Sequence, residues 1–325
     1  MGSFWRRLKS NHFLLSVARW FDDEAGRPEL TSANPDRVDW LRILPFLALH
    51  VLCLGPLWVG WSWAAIGVAI GMFAIRMFAI TGGYHRYFSH RTYRTSRAMQ
   101  FALAVLGSMA AQRGPLWWAS HHRRHHRCAD TPEDVHSPLQ HGFLWSHVLW
   151  LTTPRNFVTE VDRVRDWAKY PELRFLNRFS IITPALTAAA LYGLGEALGV
   201  LAPASGANGV QMAVWGFVIS TVVLYHATFT INSLDHMVGR RRYETPDGSR
   251  NNWILALLTF GEGWHNNHHR YPGSTRQGFY WWELDLTYYI LRVLSWLGLV
   301  RGLRTVPYRI LEEGRDRPEA GRDGR

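Results

Sequence analysis

The sequence predicts an all-α integral membrane protein with four transmembrane helices and a cytoplasmic cap of further helices. Three observations support this fold class: long apolar runs, basic residues concentrated between certain runs, and histidine clusters in the polar segments. We divide the chain into an N-terminal cytoplasmic segment (1–39), a membrane domain (40–303) and a polar C-terminal tail (304–325). The mean hydropathy of only −0.13 conceals this alternation of apolar and basic stretches.

Four apolar runs approach the length of about 20 residues that a helix needs to cross a bilayer. The expected spans are about 41–60, 62–83, 179–200 and 210–231. The short joins at 55–61 and 201–209 contain neither Lys nor Arg, whereas the other polar segments hold nearly all of them. Because Lys and Arg concentrate on the cytoplasmic side of membrane proteins, we expect both termini and every histidine cluster in the cytoplasm.

Several shorter features accompany the spans. Arg76 lies in the second span, where it either snorkels to the membrane surface or lines a functional site. Residues 98–112 predict an interfacial helix, and the aromatic stretch 279–303 is amphipathic and is expected to lie on the membrane. Residues 13–17 are apolar and follow basic residues, which is consistent with a peripheral amphipathic helix. The tail from Glu312 is polar and is expected to be disordered.

The charge and cysteine content exclude several classes of protein. The net charge is +11 and the pI is about 10.1, which suits nucleic acid, anionic lipid or an acidic protein as partner. The charge flanks the apolar runs and we find no nucleic-acid recognition module, so we expect no nucleic-acid partner. Cys53 and Cys128 form neither a disulfide framework nor a CxxC metal motif.

Histidine is concentrated in three polar segments. Two of them repeat the spacing i, i+3, i+4, which places three imidazoles on one face of a helix. The other has the spacing i, i+5, which would separate two side chains by about 140° on an ideal helix, so we expect a helix end or a distortion there. The eight residues concerned are His85 and His90, then His122, His125 and His126, then His265, His268 and His269.

Neutral imidazole is the commonest side-chain metal ligand, so the recurring spacing predicts a metal site. One ion takes about four to six ligands, and eight histidines from three segments therefore imply two ions. A histidine-rich, cysteine-poor site suits iron, zinc or copper, and iron is the choice if dioxygen is the oxidant because zinc has no redox chemistry. The alternatives are an exposed histidine-rich surface or a non-catalytic membrane metal-binding or transport protein. A transporter should place its polar ligands at mid-bilayer, whereas these clusters lie outside the spans.

The clusters resemble those of a known family. The segments 83–91 (GYHRYFSHR), 122–126 (HRRHH) and 261–269 (GEGWHNNHH) are similar to the three histidine boxes of the membrane acyl-CoA Δ9 desaturases. This is the stearoyl-CoA desaturase family, fatty acid desaturase type 1. Segment 232–236 (NSLDH) matches a further Asn-Ser-x-x-His ligand segment of that family. The resemblance covers roughly 40–275 and extends to the layout of four spans.

The resemblance implies two iron ions held by nine histidines, with Asn232 completing one coordination shell through water. The implied ligands are His85, His90, His122, His125, His126, His236, His265, His268 and His269. The chain departs from the family at His121, where an acid is usual, and at Asp235, where a small residue is usual. These departures leave the expected metal count unchanged.

Other residues are expected to support the ligands. Glu262 is a candidate to orient a ligand imidazole by accepting its other N–H, which is a usual arrangement around bound metals. The same role is open to three residues of a loop, for each of which the alternative is simple solvation: Asp130, Asp134 and His136.

The family threads its acyl chain into a closed tunnel, and Gln112, Trp118 and Thr228 match positions that line it. Phe73 and Met77 precede His85 at helical intervals of four, so they lie along the same stripe of the second span. We hypothesise that Phe73 and Met77 close the tunnel and limit the length of the acyl chain. The alternative is packing in the core or against lipid.

The resemblance implies an oxidoreductase of the stearoyl-CoA 9-desaturase type. It would use O₂ and two electrons to introduce a cis double bond into a saturated acyl-CoA. Because no cytochrome, flavin or nicotinamide motif is visible, the electrons are expected from a separate ferredoxin or a cytochrome b5 with its reductase. The rivals are a hydroxylase, or a desaturase of acyl-carrier-protein or lipid-linked chains. The Arg-rich chain without a fused donor domain favours a bacterial plasma (inner) membrane.

Overall fold

The computed structural model describes residues 12–25 and 35–315, and the fold there is almost entirely helical. The basic residues that precede the expected N-terminal helix lie outside the described residues. The helices of the first half are α1 (His12–Phe21), α2 (Leu44–Leu52), α3 (Pro56–Val59), α4 (Trp63–Phe78), a π-helix (Ala79–Ser89), α5 (Arg97–Ser108), α6 (Pro115–Cys128), α7 (Pro138–His141) and α8 (Phe143–His147).

The second half begins with three 3₁₀ turns, Leu149–Thr152, Pro154–Phe157 and Val161–Val164. The helices that follow are α9 (Arg165–Ala168), α10 (Pro171–Arg178), α11 (Ile182–Leu201), α12 (Gly209–Ala213), a π-helix (Val214–Ile219), α13 (Ser220–Ser233), α14 (Trp253–Leu258), α15 (His265–Arg270), α16 (Leu286–Trp296) and α17 (Tyr308–Arg315). Further 3₁₀ turns lie at Pro203–Ser205 and Leu234–His236. One small antiparallel sheet pairs β1 (Arg94–Thr95) with β2 (Val300–Arg301).

Three helical stretches of the described chain are long and apolar enough to cross a membrane, which is one fewer than the sequence predicts. They are Trp63–Ser89, Ile182–Leu201 and Gly209–His236. The expected first span is a shorter apolar stretch, Leu44–Val59, interrupted between α2 and α3. Pro56 cannot donate a backbone hydrogen bond to the preceding turn, so the helix restarts there. Leu57 and Trp58 nevertheless remain 78% exposed, which leaves an apolar surface available to lipid.

The first long stretch changes from an α-helix to a π-helix as it approaches its first histidines. The amide of His90 donates to the carbonyl of His85 at 3.2 Å, the i to i+5 bond that defines this geometry. The two imidazole centroids lie 4.8 Å apart, whereas an ideal α-helix would direct them apart. The predicted distortion is therefore present, and it is what brings two histidines at this spacing to one place.

A helical hairpin, α5 followed by α6, packs against this stretch. Ala111 and Arg113 in its turn both adopt positive φ, at 54° and 63°, which is uncommon for residues other than glycine. Three buried side chains hold the turn by donating to its carbonyls: Arg76 to Met109 at 3.4 Å, Tyr225 to Ala111 at 2.8 Å and Tyr84 to Arg113 at 3.3 Å. Arg76 is fully buried, so it does not snorkel to the surface.

The main hydrophobic core lies where the first long stretch, the hairpin, α10, α13 and α16 meet. Its fully buried members include Met77, Leu103, Leu173, Leu224 and Leu291. The end of the described chain also packs on the domain. Tyr243 and Tyr280 donate hydroxyl hydrogen bonds to the carbonyls of Ile310 and Leu311 at 3.0 and 2.8 Å. The tail is therefore helical to Arg315, beyond the point at which we expected disorder.

Candidate metal centre

Four separate elements deliver histidines to one buried region at the end of the long helices. The π-helix and the residue after it carry the first pair, and α6 carries the first triplet. The 3₁₀ turn Leu234–His236 extends the last long stretch by one more histidine, and the six-residue helix α15 carries the second triplet. The contact between His85 and His268 joins two of these side chains that lie 183 residues apart in sequence.

The histidine nitrogens form two groups, in each of which the potential ligand atoms lie within 4.8 Å of one another. The first group contains His85, His90, His122, His126 and His268. The second group contains His125, His236, His265 and His269. Each triplet helix thus contributes to both groups, because His125 turns away from its neighbours on α6 and His268 turns away from its neighbours on α15. The nine histidines are the same nine that the resemblance implies, and their role as ligands remains a prediction.

The Nε2 atoms of these histidines point at one another. In the first group, His268 Nε2 lies 3.1 Å from His85 Nε2 and 2.9 Å from His126 Nε2, and His90 Nε2 lies 2.8 Å from His122 Nε2. In the second group, the Nε2 atoms of His236 and His265 are 3.0 Å apart. A neutral imidazole has a single N–H, so these contacts cannot all be conventional hydrogen bonds.

Carboxylates hold the opposite nitrogen of several histidines. Nδ1 of His125 lies 3.0 Å from Asp134, and Nδ1 of His236 lies 2.7 Å from Asp130. Nδ1 of His269 lies 2.8 Å from Asp247, and Nδ1 of His85 contacts Glu262. A carboxylate that accepts from Nδ1–H leaves the lone pair on Nε2, where a metal binds. Lone pairs that converge without a cation would repel one another. The donor set therefore fits metal ions, and it is the arrangement usual around metal-bound histidine.

Burial favours the uncharged form that a metal requires. Burial, and then the neighbouring histidines, lower the pKa of His90, His122, His126, His265 and His268 well below the ordinary value. A neutral imidazole is the form that binds a metal. His125 differs: burial acts to lower its pKa, but Asp134 outweighs burial and raises it.

The carboxylates are held in their charged form. Burial acts against ionisation of Asp130, but the hydrogen bond and charge of His236, together with hydrogen bonds from Ser137 and Gly248, outweigh burial and lower the pKa of Asp130 to about 2. In the same way, the nearby histidines outweigh burial at Asp134 and Asp247 and bring both pKa values below the usual range. These anions offset part of the charge that two metal cations would bring.

Three of the supporting residues expected from the sequence contact a histidine of the site. They are Glu262, Asp130 and Asp134, described above. His136 lies differently, because its Nδ1 is 3.6 Å from Asp134, beyond hydrogen-bond distance, while its ring lies 4.5 Å from that of His125. Burial lowers the pKa of His136 to about 3. His121 belongs to neither group of histidines; its Nε2 lies 3.1 Å from the carbonyl oxygen of Val158.

Sequence reasoning missed two residues that contact the site. Asp247 lies in a polar loop where nothing in the sequence distinguishes it from Glu244, although the following glycine and serine do indicate a turn. Gln277 places its side-chain nitrogen 3.2 Å from Nδ1 of His85 and 3.4 Å from Nδ1 of His268. Asp235, noted as a departure from the family, is fully buried, and its carboxylate has no hydrogen-bond partner among the described residues.

A cavity of about 270 Å³ lies beside the first histidine group. Gln112, Trp118, Thr228 and Asn232 all line it, together with His122. The indole of Trp118 stacks on the imidazole of His122, with centroids 5.0 Å apart and planes inclined by 23°. The Gln112 amide donates to the Thr228 hydroxyl at 2.8 Å and so joins the hairpin to α13 across the cavity wall.

The rest of the cavity wall is largely apolar. The apolar lining includes Ile43, Pro45, Phe46, Leu49, Ile181, Pro184 and Phe229. Phe73 and Met77 are not part of this lining: Met77 is fully buried in the main core, and Phe73 packs against that core. Their effect on chain length remains a prediction.

These features define a helical protein with three stretches long and apolar enough to cross a membrane, and with two histidine-rich groups suited to metal beside an apolar cavity. The chain belongs to the fatty acid desaturase family, whose sequence profile matches residues 58–295. It is therefore an enzyme of an oxidoreductase family.

Relatives of this chain act on different carriers of the acyl group. An acyl-CoA 5-desaturase (AL21) of Anemone leveillei is 37% identical over 270 residues, covering 82% of this chain and 79% of the relative. An sn-1 stearoyl-lipid 9-desaturase of Anabaena variabilis is 38% identical over 280 residues, covering 84% and 96%. An sn-2 palmitoyl-lipid 9-desaturase of Nostoc sp. (strain 36) is 34% identical over 282 residues, covering 84% and 93%.

Proposed function

We propose that this chain is a membrane-bound diiron desaturase that introduces a cis double bond, at the Δ9 position, into the saturated chain of an acyl-CoA. The observation that carries the proposal is the pair of histidine groups, with convergent Nε2 atoms, beside an apolar cavity. Membership of the fatty acid desaturase family supports the reaction type. The relatives named as 9-desaturases support the position.

One iron would be held by the first histidine group and the other by the second group. Asn232 lines the cavity and would complete the four-histidine shell through water. Ser146 donates to the backbone carbonyl of Asn232 at 2.9 Å, which fixes the residue in place. Bound iron would supply the redox chemistry with O₂ that removal of hydrogen from an unactivated C–H bond requires.

The overall reaction removes one hydrogen from each of two adjacent methylene groups. The chain, one O₂, two electrons and two protons give the alkene and two molecules of water. The residues of this protein position the chain and exclude bulk water. The Gln112–Thr228 hydrogen bond braces the cavity wall, Trp118 keeps the His122 ring in orientation, and the apolar lining surrounds the substrate methylenes.

The carboxylates around the histidines also have a defined task. Each accepts the Nδ1 proton of one imidazole and so keeps its Nε2 available to metal. Arg86 ties two of the surrounding acids together, because it donates to Asp285 at 2.8 Å and to Glu262 at 3.0 Å and is itself fully buried. This network holds Glu262 against His85 and so keeps His85 beside His268 of the second triplet.

The cavity supports an anionic carrier such as coenzyme A. Arg19, Arg42 and Arg113 line it, opposed by Asp23. Arg42 is buried, and one of its terminal nitrogens has no hydrogen-bond partner in the described part of the chain. Burial, and then Arg113, lower the pKa of Arg42 to about 9, so it remains charged at neutral pH and would gain from a phosphate.

A second candidate is a desaturase of lipid-linked acyl chains. It is favoured by the two cyanobacterial relatives named above, whose alignments cover most of this chain and nearly the whole of the relatives' own length.

In either case we propose a multi-pass protein of a bacterial plasma membrane, with the metal site and both termini in the cytoplasm. We further propose that a ferredoxin or a cytochrome b5 with its reductase supplies the electrons.

The first experiment expresses the protein in a host that lacks Δ9 desaturation and locates double bonds in the total fatty acids by gas chromatography and mass spectrometry. We expect a new cis Δ9 monoene that is absent with His125→Ala. Folded, iron-loaded protein that yields only hydroxylated chains, or zinc-loaded protein that consumes no O₂, would contradict the proposal.

A second experiment separates the carriers. The purified protein, with a reductase and donor, is given labelled stearoyl-CoA or labelled phospholipid in nanodiscs. Conversion of the CoA ester before any transfer of label to lipid supports acyl-CoA as the substrate. Conversion of the phospholipid alone supports the lipid-linked alternative.

A further inference from the structure

A second pocket lies outside the catalytic region, where the small sheet meets the end of the first long stretch. It is lined by Arg91, Tyr93, Arg94, Arg301, Gly302 and Arg304. All four arginines are exposed at this surface, while Tyr93 is buried at its base. We propose that this pocket binds the phosphate headgroup of an anionic membrane lipid.

The pocket carries positive charge that the described part of the protein leaves largely unpaired. Among residues 12–25 and 35–315, no carboxylate forms an ion pair with Arg94, Arg301 or Arg304. Arg91 contacts Asp166 at 3.3 Å, but that carboxylate also accepts two closer bonds from Arg123, at 2.8 and 2.9 Å. Three guanidinium groups therefore remain available, and their planar arrays of donors suit a phosphate.

The sheet places two of these arginines in direct opposition. In the register of β1 and β2, Arg94 is the partner of Arg301, and Thr95 is the partner of Val300. Like charges directly opposite each other on antiparallel strands are destabilising. An anion between the two guanidinium groups would replace this repulsion with attraction. A ligand bound in the pocket would therefore offset the cost of placing Arg94 opposite Arg301.

The backbone around the pocket is firmly held, so the arginines project from a preformed frame. The amide of Arg304 donates to the carbonyl of Thr92 at 3.0 Å, and the amide of Thr275 donates to the carbonyl of Arg304 at 2.9 Å. The buried hydroxyl of Tyr93 donates to the carbonyl of Gly82 at 2.8 Å. Binding at such a site orders only side chains, which lowers its entropic cost.

The surroundings identify the ligand as a lipid. Trp296, Leu297 and Leu299 directly precede β2 and are 74%, 66% and 45% exposed. Tryptophan and exposed aliphatic side chains are typical of the membrane interface. The first long apolar stretch ends at Ser89, two residues before Arg91. The arginines therefore lie at the level of the headgroups, where basic pockets recognise anionic lipids.

The test measures lipid binding to the full-length protein in neutral detergent. Native mass spectrometry compares phosphatidylglycerol with phosphatidylcholine for the wild type and for the double variant Arg94→Gln/Arg301→Gln. The matched control, Arg174→Gln/Arg309→Gln, removes the same charge from exposed positions outside the pocket. We expect the pocket variant to bind phosphatidylglycerol about tenfold more weakly or worse, and the control to bind as the wild type does. Equal binding by all three proteins, or equal binding of both lipids, would overturn the proposal.

A charge reversal provides a readout that needs no binding assay. Arg301→Glu places an opposite charge across from Arg94, so its Tm in neutral detergent should rise above that of the wild type. Phosphatidylglycerol should raise the Tm of the wild type, because it binds only the folded state, and should no longer do so in the variant. If inorganic phosphate raised the wild-type Tm as strongly as the lipid does, the pocket would be a site for soluble anions and the lipid assignment would be wrong.

Discussion

Nδ1 of His269 donates a hydrogen bond of 2.8 Å to Asp247, which lies 22 residues earlier in the chain. His269 Nε2 is buried and has no hydrogen-bond partner in the described part of the protein. One nitrogen is thus anchored and the other is left open toward the second histidine group. This arrangement is typical of a histidine whose ring is oriented for metal binding before the metal arrives.

Replacing Asp247 with Ala should lower iron affinity and desaturase activity by about 10- to 100-fold, because the carboxylate no longer orients His269. Iron per chain, measured by plasma mass spectrometry after dialysis, reports the effect independently of turnover. Asp162→Ala is the control, since that exposed side chain pairs with Arg165 away from the site. An iron content equal to that of the wild type would show that Asp247 is dispensable.

Replacing Thr228 with Val removes the hydroxyl that accepts from Gln112 while keeping the shape of the side chain. A typical hydrogen bond contributes about 0.5–1.5 kcal/mol, so the rate of desaturation should fall by about 2- to 13-fold. Thr230→Val on the same helix is the control, because that hydroxyl donates to the backbone carbonyl of Ala227. A double variant that also carries Gln112→Leu should lose little more. Independent, additive losses would argue against a shared bond.

Trimming Met77 to Ala tests the predicted limit on chain length. If Met77 helps to close the tunnel, the product profile should shift toward longer acyl chains. The structure places Met77 in the packed core, so the same change should also cost about 2–5 kcal/mol of stability. Leu103→Ala removes another fully buried core side chain and is the matched control. A loss of Tm in both variants, with no shift in product length, would assign Met77 to packing alone.

The metal-free protein should lose stability as the pH falls from about 7.5 to 5.5. The folded-state pKa values of His122, His126 and His268 are depressed, so below the unfolded value of about 6.5 the unfolded chain binds more protons than the folded chain. The free energy of unfolding of the metal-free protein therefore decreases as the pH falls through that range. His125 has a raised pKa and acts in the opposite direction, but it is one group against three.

Thermal unfolding of metal-free protein across this range measures the effect of pH. The control carries Gln at His122 and His126, which removes two of the titrating groups, and its Tm should depend less on pH. A flat profile for the wild type would mean that the cluster does not remain uncharged in the folded state.

The resemblance to the family was needed to predict His236. The sequence alone was otherwise sufficient to predict a mostly helical chain with long apolar stretches and eight of the nine clustered histidines. Local spacing carries that information, because i, i+3 and i+4 positions share a helix face and uninterrupted apolar runs of sufficient length form long helices. The i, i+5 spacing of His85 and His90 similarly indicated a distortion, and a π-helix is present there. The first expected span was predicted too long, because the interruption before Pro56 divides it into two short helices.

Only the tertiary structure decided how the histidines divide between two groups, since His122 and His125 lie on the same turn of α6 and yet face different partners. It also decided that Asp247 and Gln277 contact the site, that Phe73 and Met77 pack away from the cavity, and that Arg94 faces Arg301. Each of these contacts joins distant parts of the chain. Side-chain periodicity reports which residues share a face of one helix, whereas the packing of the whole fold determines what that face meets.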